Sequence, residues 1–332
     1  MAHVSVGQVP GRTGGGHSDE GGGQSMTAVV CVGSAVLDRV YALTNLPEPD
    51  GGAFVTDYSE RAGGVAANVA CALATLEYDA TVVSRVGRDD AADVIVDSLD
   101  EYGVTPAIQR GDGESSYTLI LRGPDGGRMI VAGGDSVPQL RLSERDCDRC
   151  RAADCVFTSA YAPEPVVSRL VELRESGAIE TLVFDLSGPL SELRGRGTSL
   201  PTIDEVAATA DLFVTSEVAA RSYLDQSPAE SARTIRNTGA DRVAVTCGSD
   251  GAYLAEGDAE PVHVPAVDRD VVDTTGAGDQ FTAALIHAWV FAGLSPTAAG
   301  RVAAIAAGEN CTALGPRGSL ATPADLPDDP GP

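Results

Sequence analysis

The chain contains no lysine; all 23 of its basic residues are arginine. That absence removes whole classes of chemistry. A Walker A phosphate loop depends on its lysine, and so does the strand lysine of protein kinases. Schiff-base aldolases and pyridoxal-phosphate enzymes are excluded for the same reason. A phosphoryl-transfer enzyme without lysine must use backbone N–H groups, arginine and Mg²⁺. Long apolar runs are missing as well. None approaches the span of a bilayer, and the N-terminus lacks the apolar core of a signal peptide, so the chain reads as soluble. Cysteine is sparse, at seven residues. Cys31, Cys71 and Cys247 fall inside apolar segments and read as small core residues. Cys147-x-x-Cys150 with Cys155 invites a zinc reading, but no second pair or nearby His completes it. A reducing cytoplasm suits this usage.

Charge is heavily one-sided, with a formal net of −25. Such a surface repels nucleic acid and anionic membranes, so neither is an expected partner. Its self-repulsion is screened in concentrated salt. The composition resembles that of proteins from salt-accumulating halophilic archaea, although GC-rich coding also favours Arg over Lys.

At 332 residues the chain can bury a large core. Residues 1–25 are rich in Gly and Ser without periodicity, and are expected to be a disordered tail or a mis-assigned start ahead of Met26. The folded part is expected over 26–325, with a loose tail at 326–332. Ala28 to Gly33 is an apolar run like a buried parallel strand. Val40 to Tyr58 reads as two strands joined by a loop. Ser116–Leu121 and Arg128–Val131 read as a hairpin about Pro124-Asp125-Gly126-Gly127. These two segments, about 39–62 and 112–133, are expected to form a small lid sheet. Gly63-Gly64 starts a helix reaching about Tyr78, with Val65, Val69, Leu73 and Leu76 as its buried stripe. Thr81–Val86 is a strand, and Arg88-Asp89-Asp90 opens a helix to about Tyr102.

From Asp154 the elements alternate. Strands are expected near Cys155–Thr158, Leu182–Asp185, Leu212–Thr215 and Val243–Cys247. Helices are expected near Glu164–Ser176, Ile203–Ala210, Glu217–Leu224 and Pro228–Thr238, with an Ala-rich helix from Pro296 to about Asn310. This is the rhythm of a parallel α/β sheet with crossover helices. Ligands in such sheets gather at the strands' C-terminal ends, where Asp38, Asp185, Thr246 and Asp279 are expected.

The stretch Asp273 to Phe281 reads D-T-T-G-A-G-D-Q-F and runs into a helix. A Gly-Ala-Gly turn opening a helix leaves the amides of Gly276, Ala277 and Gly278 pointing outward, an anion site at the positive end of the dipole. Asp279 beside a bound anion suffers like-charge repulsion unless it has work to do. The natural work is to take the proton from an alcohol as that alcohol attacks a phosphoryl group. The plainer reading is a Gly-rich helix start with Asp279 as a first-turn acid.

D-T-T-G-A-G-D-x-F resembles the C-terminal signature of the ribokinase-like (PfkB) family of small-molecule kinases. Gly63-Gly64-Val65-Ala66-Ala67-Asn68 resembles the family's N-terminal G-G-x-x-x-N, and the shared layout runs from about Ala28 to Pro323. The resemblance implies a central, mostly parallel sheet between helical layers, with a β-sheet lid. It implies ATP-dependent phosphorylation of a hydroxyl on a sugar-type substrate, with Asp279 as base and the Gly276–Gly278 amides as anion hole. Asp38, Gly63, Gly64 and Asn68 would hold the substrate. A carboxylate accepts two hydrogen bonds from a diol, and paired glycines admit a sugar close to the backbone. Thr246-Cys247-Gly248-Ser249-Asp250-Gly251 resembles the family's T-x-G-x-x-G, so Thr246, Gly248 and Gly251, with Thr275, would lie against the nucleotide. Relatives help hold Mg²⁺ through a P-N-x-x-E stretch. Here Ser216 and Ala219 stand at its Asn and Glu, leaving Glu217 as the candidate. Asp273 would take part in a monovalent-cation site, with K⁺ as the ion. Exposed lid faces often pair in dimers of this family, so the resemblance allows a homodimer through the lid.

The family phosphorylates sugars, nucleosides and some sugar phosphates. Asp185-Leu186-Ser187-Gly188-Pro189 departs from the D-P-N-x-R of fructokinase-like and 2-keto-3-deoxygluconate kinase-like members. That places fructose and 2-keto-3-deoxygluconate behind a ribose-type substrate: ribose 1-phosphate, ribose or a nucleoside. Arg61, Arg85, Arg110, Arg122 and Arg128 lie in or near the lid. Arginine grips phosphate bidentately, though each also reads as a solvated surface residue. A reading of another class is a non-catalytic sugar- or nucleotide-binding regulator. The altered metal-site residues favour it and the intact Asp279 opposes it. No G-x-G-x-x-G follows the first strand, which speaks against a nicotinamide dehydrogenase.

Overall fold

The computed structural model describes residues 26–124 and 127–327. The expected tail at 1–25, the turn residues Asp125 and Gly126, and residues 328–332 lie outside them.

The described chain enters in the middle of its main sheet. β1 (Ala28–Val32) is a continuous apolar run with four buried residues, as a central parallel strand requires. Then come β2 (Val36–Leu43), β3 (Val55–Gly63), α1 (Val65–Thr75), β4 (Asp79–Val86), α2 (Asp90–Glu101) and β5 (Thr105–Arg110). β6 (Tyr117–Arg122) and β7 (Arg128–Gly133) form the hairpin, and α3 (Glu144–Ala152) follows. The alternating region supplies β8 (Cys155–Ser159), α4 (Glu164–Glu175), β9 (Leu182–Asp185), α5 (Leu190–Leu193), α6 (Leu200–Thr209) and β10 (Leu212–Ser216). It continues with α7 (Glu217–Leu224), α8 (Pro228–Thr238), β11 (Arg242–Thr246), β12 (Ala252–Glu256) and β13 (Val262–Val264). α9 (Ala277–Leu285) and α10 (Pro296–Asn310) complete the set.

The nine-stranded sheet has the order β13-β12-β11-β10-β9-β8-β1-β4-β5. It is parallel from β11 to β5, and β12 and β13 add an antiparallel edge. Helices cover both faces. α1, α2, α9 and α10 bury one apolar cluster with Trp289, while α3, α4, α6, α7 and α8 bury the other. Cys155 belongs to the first cluster and Cys147 and Cys150 to the second, so the three thiols do not converge.

The second sheet has the order β3-β2-β6-β7, with β2 parallel to β6 and the outer pairs antiparallel. It begins earlier than expected. Only Gly33 to Ala35 separate β1 from β2, so Asp38 lies on a lid strand rather than at the end of β1. Met129, Ile130 and Val131 on β7 and Val55 and Tyr58 on β3 are exposed.

Five elements were not expected, among them the short α5. β5 carries Pro106, whose missing N–H is tolerated because β5 is the sheet edge. α3 is mostly charged, and among its apolar residues Cys147 and Cys150 are buried. A reciprocal cap between Ser143 and Asp146 starts it. β12 and β13 are short antiparallel strands after β11. Among the described residues no helix is long and apolar enough to cross a membrane.

Candidate active site

Gly276 is the N-cap of α9 at φ 79°. A Cβ there would lie 2.2 Å from the carbonyl oxygen of Pro316, so the turn requires glycine twice over. The amides beyond it differ from expectation in one respect. Ala277 N–H donates to Thr274 O at 3.3 Å, closing the turn. Among the described residues no acceptor meets the amides of Gly276, Gly278 or Asp279. The open donors are therefore these three, and Ala277 is the correction.

Asp279 stands in the first turn of α9, and its Oδ2 accepts from Asn68 Nδ2 at 2.7 Å. Asn68 lies in α1, which starts at Gly64. Its other end is fixed, because Arg317 Nε donates to Asn68 Oδ1 at 2.9 Å. An amide whose oxygen faces a guanidinium must turn its NH₂ to the carboxylate. Arg317 is itself anchored: Nη1 donates to Ser98 Oγ at 2.8 Å, and its guanidinium carbon lies 5.7 Å from the centre of the Tyr102 ring. On the lid, Asp38 is buried and its Oδ1 accepts from Thr118 Oγ1 at 2.5 Å. A Cβ at Gly63 would sit 2.1 Å from Asp38 Oδ2, so the bare backbone makes room for that carboxylate.

The carboxyls are tuned in opposite directions. Asp279 keeps some open surface, yet protein surrounds it, and burial pushes its carboxyl up to about 7. The Asn68 bond opposes that rise, the charge of Asp185 adds to it, Arg317 opposes it and Asp38 adds again. Burial raises Asp185, the last residue of β9, to about 6. Asp38 is also raised by burial, against its Thr118 bond and the charge of Arg317. Asp273 goes the other way. Burial would raise it, but the Thr275 amide and hydroxyl, the Gly315 amide and the charge of Arg122 together hold it below its ordinary value. Those bonds measure 3.0, 2.8 and 3.0 Å.

Beside α9 lies a cleft of about 670 Å³, lined by Thr246, Gly248, Gly251, Glu217, Ala277 and Gly278 among others. Thr275 is not among them. Its amide and hydroxyl go to Asp273 and its carbonyl accepts from Asn310 Nδ2 at 2.8 Å, so it shapes the loop while Thr274 faces the cleft. Ser216 Oγ is occupied in capping α7, and Glu217 pairs with Arg221. Glu217 is thus the carboxylate that this helix start offers the cleft. That donor set fits Mg²⁺, which keeps several waters and relies on nucleotide phosphates with one or two carboxylates. Both Asp273 oxygens already accept bonds, so a monovalent ion there would share them.

Residues 26–323 match the pfkB family of carbohydrate kinases. The chain belongs to that family. As a pfkB kinase it is a phosphotransferase that acts on a sugar hydroxyl, and its two sheets form the ribokinase-like α/β fold with its smaller lid sheet. Kinases of this family use ATP, typically with Mg²⁺. Among its relatives is the ATP-dependent ribose-1-phosphate kinase of Halopiger xanaduensis, 32% identical, with 80% of this chain and 86% of the relative aligned. The aminoimidazole riboside kinase of Salmonella typhimurium is 28% identical over 79% of this chain and 81% of its own. A solved structure of Arabidopsis thaliana ribokinase with ribose and ATP superposes with a TM-score of 0.74 at 24% identity, covering 92% of this chain and 96% of that one.

Arg317 and Thr118 escaped the reading of the sequence. The signal for Arg317 was present in G-P-R-G, an arginine set in a loop of small residues next to the family's C-terminal end.

Proposed function

We propose that this pfkB kinase transfers the terminal phosphoryl group of ATP to a hydroxyl of a ribose-type compound. Ribose 1-phosphate is the first candidate, with ribose or a nucleoside behind it. One observation carries the reading: Asp279 is held by Asn68 at the open amides of α9, between the lid carboxylate Asp38 and the small-residue cleft. The ribose-1-phosphate kinase relative supports the choice of sugar.

In this reading Asp279 Oδ2 stays on Asn68 and Oδ1 accepts the substrate proton. A carboxyl near 7 is well matched to that task at neutral pH. The amides of Gly276, Gly278 and Asp279 stabilise charge on the transferred group. Asp38 and Asn68 hold sugar hydroxyls, with Gly63 and Gly64 giving room. Thr246, Gly248 and Gly251 flank the nucleotide phosphates. Glu217, with the nucleotide phosphates and water, would hold Mg²⁺, whose chemistry would be to neutralise phosphate charge. K⁺ at Asp273, a cytoplasmic setting rich in salt, and a homodimer paired through Met129, Ile130 and Val131 complete the proposal.

The test is ATP consumption in concentrated KCl with Mg²⁺, against pentoses, pentose 1-phosphates, nucleosides, hexoses and 2-keto-3-deoxy acids. One strong acceptor, lost in Asp279→Asn, is the expected result. Silence across the panel from a folded, ATP-binding protein would instead favour a non-catalytic regulator.

A further inference from the structure

Arg122 and Arg128 stand directly opposite each other across the lid hairpin of β6 and β7. Opposed residues of an antiparallel pair share a face, and like charges there repel. Some exposed arginines of this acidic chain have found carboxylates, as Arg110 has with Asp93, Arg151 with Asp148 and Arg221 with Glu217, while others, such as Arg141 and Arg196, donate to backbone carbonyls. Among the described residues Arg128 pairs with no carboxylate. Its Nη1 donates to the neutral hydroxyl of Thr275 at 3.1 Å. That bond brings the lid down onto the residue before Gly276. The guanidinium lines the same cleft as Ala277 and Gly278. The other arginine of the cleft, Arg269, has Glu309 at 3.9 Å.

Arg122 already faces the charge of Asp273, whereas Arg128 meets only a neutral hydroxyl beside the open amides, so a polyanion set there would stabilise it. Arginine is the only side chain in this chain that can do this as a permanent cation, since lysine is absent. We propose that Arg128 is a catalytic residue supplied by the lid, gripping the phosphoryl group in transfer from the side opposite the Gly276 and Gly278 amides, with Arg122 in support. In the step, the bond from the sugar oxygen to phosphorus forms as the bond from phosphorus to the ADP oxygen breaks. The hydroxyl proton goes to Asp279, and Arg128 neutralises charge on the equatorial oxygens. This rests on the kinase reading above.

The experiment compares wild type, Arg128→Ala and Arg128→Lys, each shown to be folded by circular dichroism. Two readouts are taken: kcat with the best acceptor, and calorimetric affinity for ADP against a non-hydrolysable ATP analogue with Mg²⁺. Arg128→Ala is expected to lose about 100-fold in kcat, the scale of removing one transition-state donor. Its ADP affinity should hold, its preference for the ATP analogue should vanish, and Arg128→Lys should recover part of kcat. A kcat within about threefold of wild type, or an unchanged preference for the analogue, overturns the proposal. If wild type transfers no phosphoryl group to any acceptor, the kinase reading fails. The binding readout then decides on the clamp alone: preference lost in Arg128→Ala supports it and preference kept overturns it.

Discussion

Asp38, Asn68, Asp279 and Arg317 meet as side chains coupled by hydrogen bonds or charge, on what the proposed function makes the substrate side. The cleft proposed for the nucleotide is built more from glycines and alanines, with Glu217, Arg128 and Arg269 at its wall, and Asp273 is tied by hydrogen bonds to Thr275 and Gly315 beside it. The contrast follows from what each side must do. A carboxylate that has to gain and lose a proton is enclosed, so that its charge is costly and its affinity for protons rises. A carboxylate that has to stay ionised is wrapped in donors. Phosphates, being the same in every nucleotide, can be met largely by backbone donors, while a particular sugar calls for side chains that can differ from one kinase to the next.

The largest effect that would test this contrast comes from Asp279→Asn. Turnover should fall by about two to four orders of magnitude, as for loss of a general base, while nucleotide affinity holds. Wild-type turnover should decline below about pH 7 as the carboxyl takes up its proton. Stability moves oppositely. The folded carboxyl titrates near 7 against an ordinary 3.8, so the folded chain binds that proton more tightly and loses stability as pH rises between the two. The variant should therefore melt higher than wild type above pH 7 and lose that advantage toward pH 4. A variant that lost nucleotide binding as well would erase the division between the two sides.

Arg317→Met comes next. It removes the bonds to Asn68 and Ser98 and should cost about 2–3 kcal/mol in urea unfolding. Since Arg317 opposes the rise at Asp279, the midpoint of the pH–rate profile should move upward, and KM should rise for the sugar but not for ATP. Gly278→Ala is the mildest. A Cβ there meets nothing within 4 Å, so the melting temperature should hold or rise slightly, while KM for ATP increases and KM for the sugar stays. A fall in melting temperature would mean that the loop is strained without its ligand.

What could be read in advance follows from where the constraint is written. Gly276 announces itself because its turn excludes every side chain, and the central strands do so as apolar runs such as A-V-V-C-V. Asp279 and Asn68 were each legible because both sit in such backbone-constrained motifs, but the bond between them was not. Asp38 was placed one element early because nothing in G-S-A marks a change of sheet. Pro106 hid β5, since its tolerance depends on being at an edge that the local sequence does not reveal. The amide of Ala277 was misjudged because its partner, the Thr274 carbonyl, is set by how tightly the turn closes. Arg317 depends on Asn68, 249 residues away, and no local pattern carries such a distance.

That distance has a meaning for the chain as it is made. Asp38 is made before Asn68, the first on β2 of the lid sheet and the second on α1, which packs against β1. Asp279 follows Asn68 by 211 residues, and Arg317 comes later still. A nascent chain that has formed its lid sheet and α1 holds Asp38 and Asn68 but not yet Asp279. With the roles proposed above, phosphoryl transfer would have to wait for Asp279, however early the lid strand β2 and α1 form.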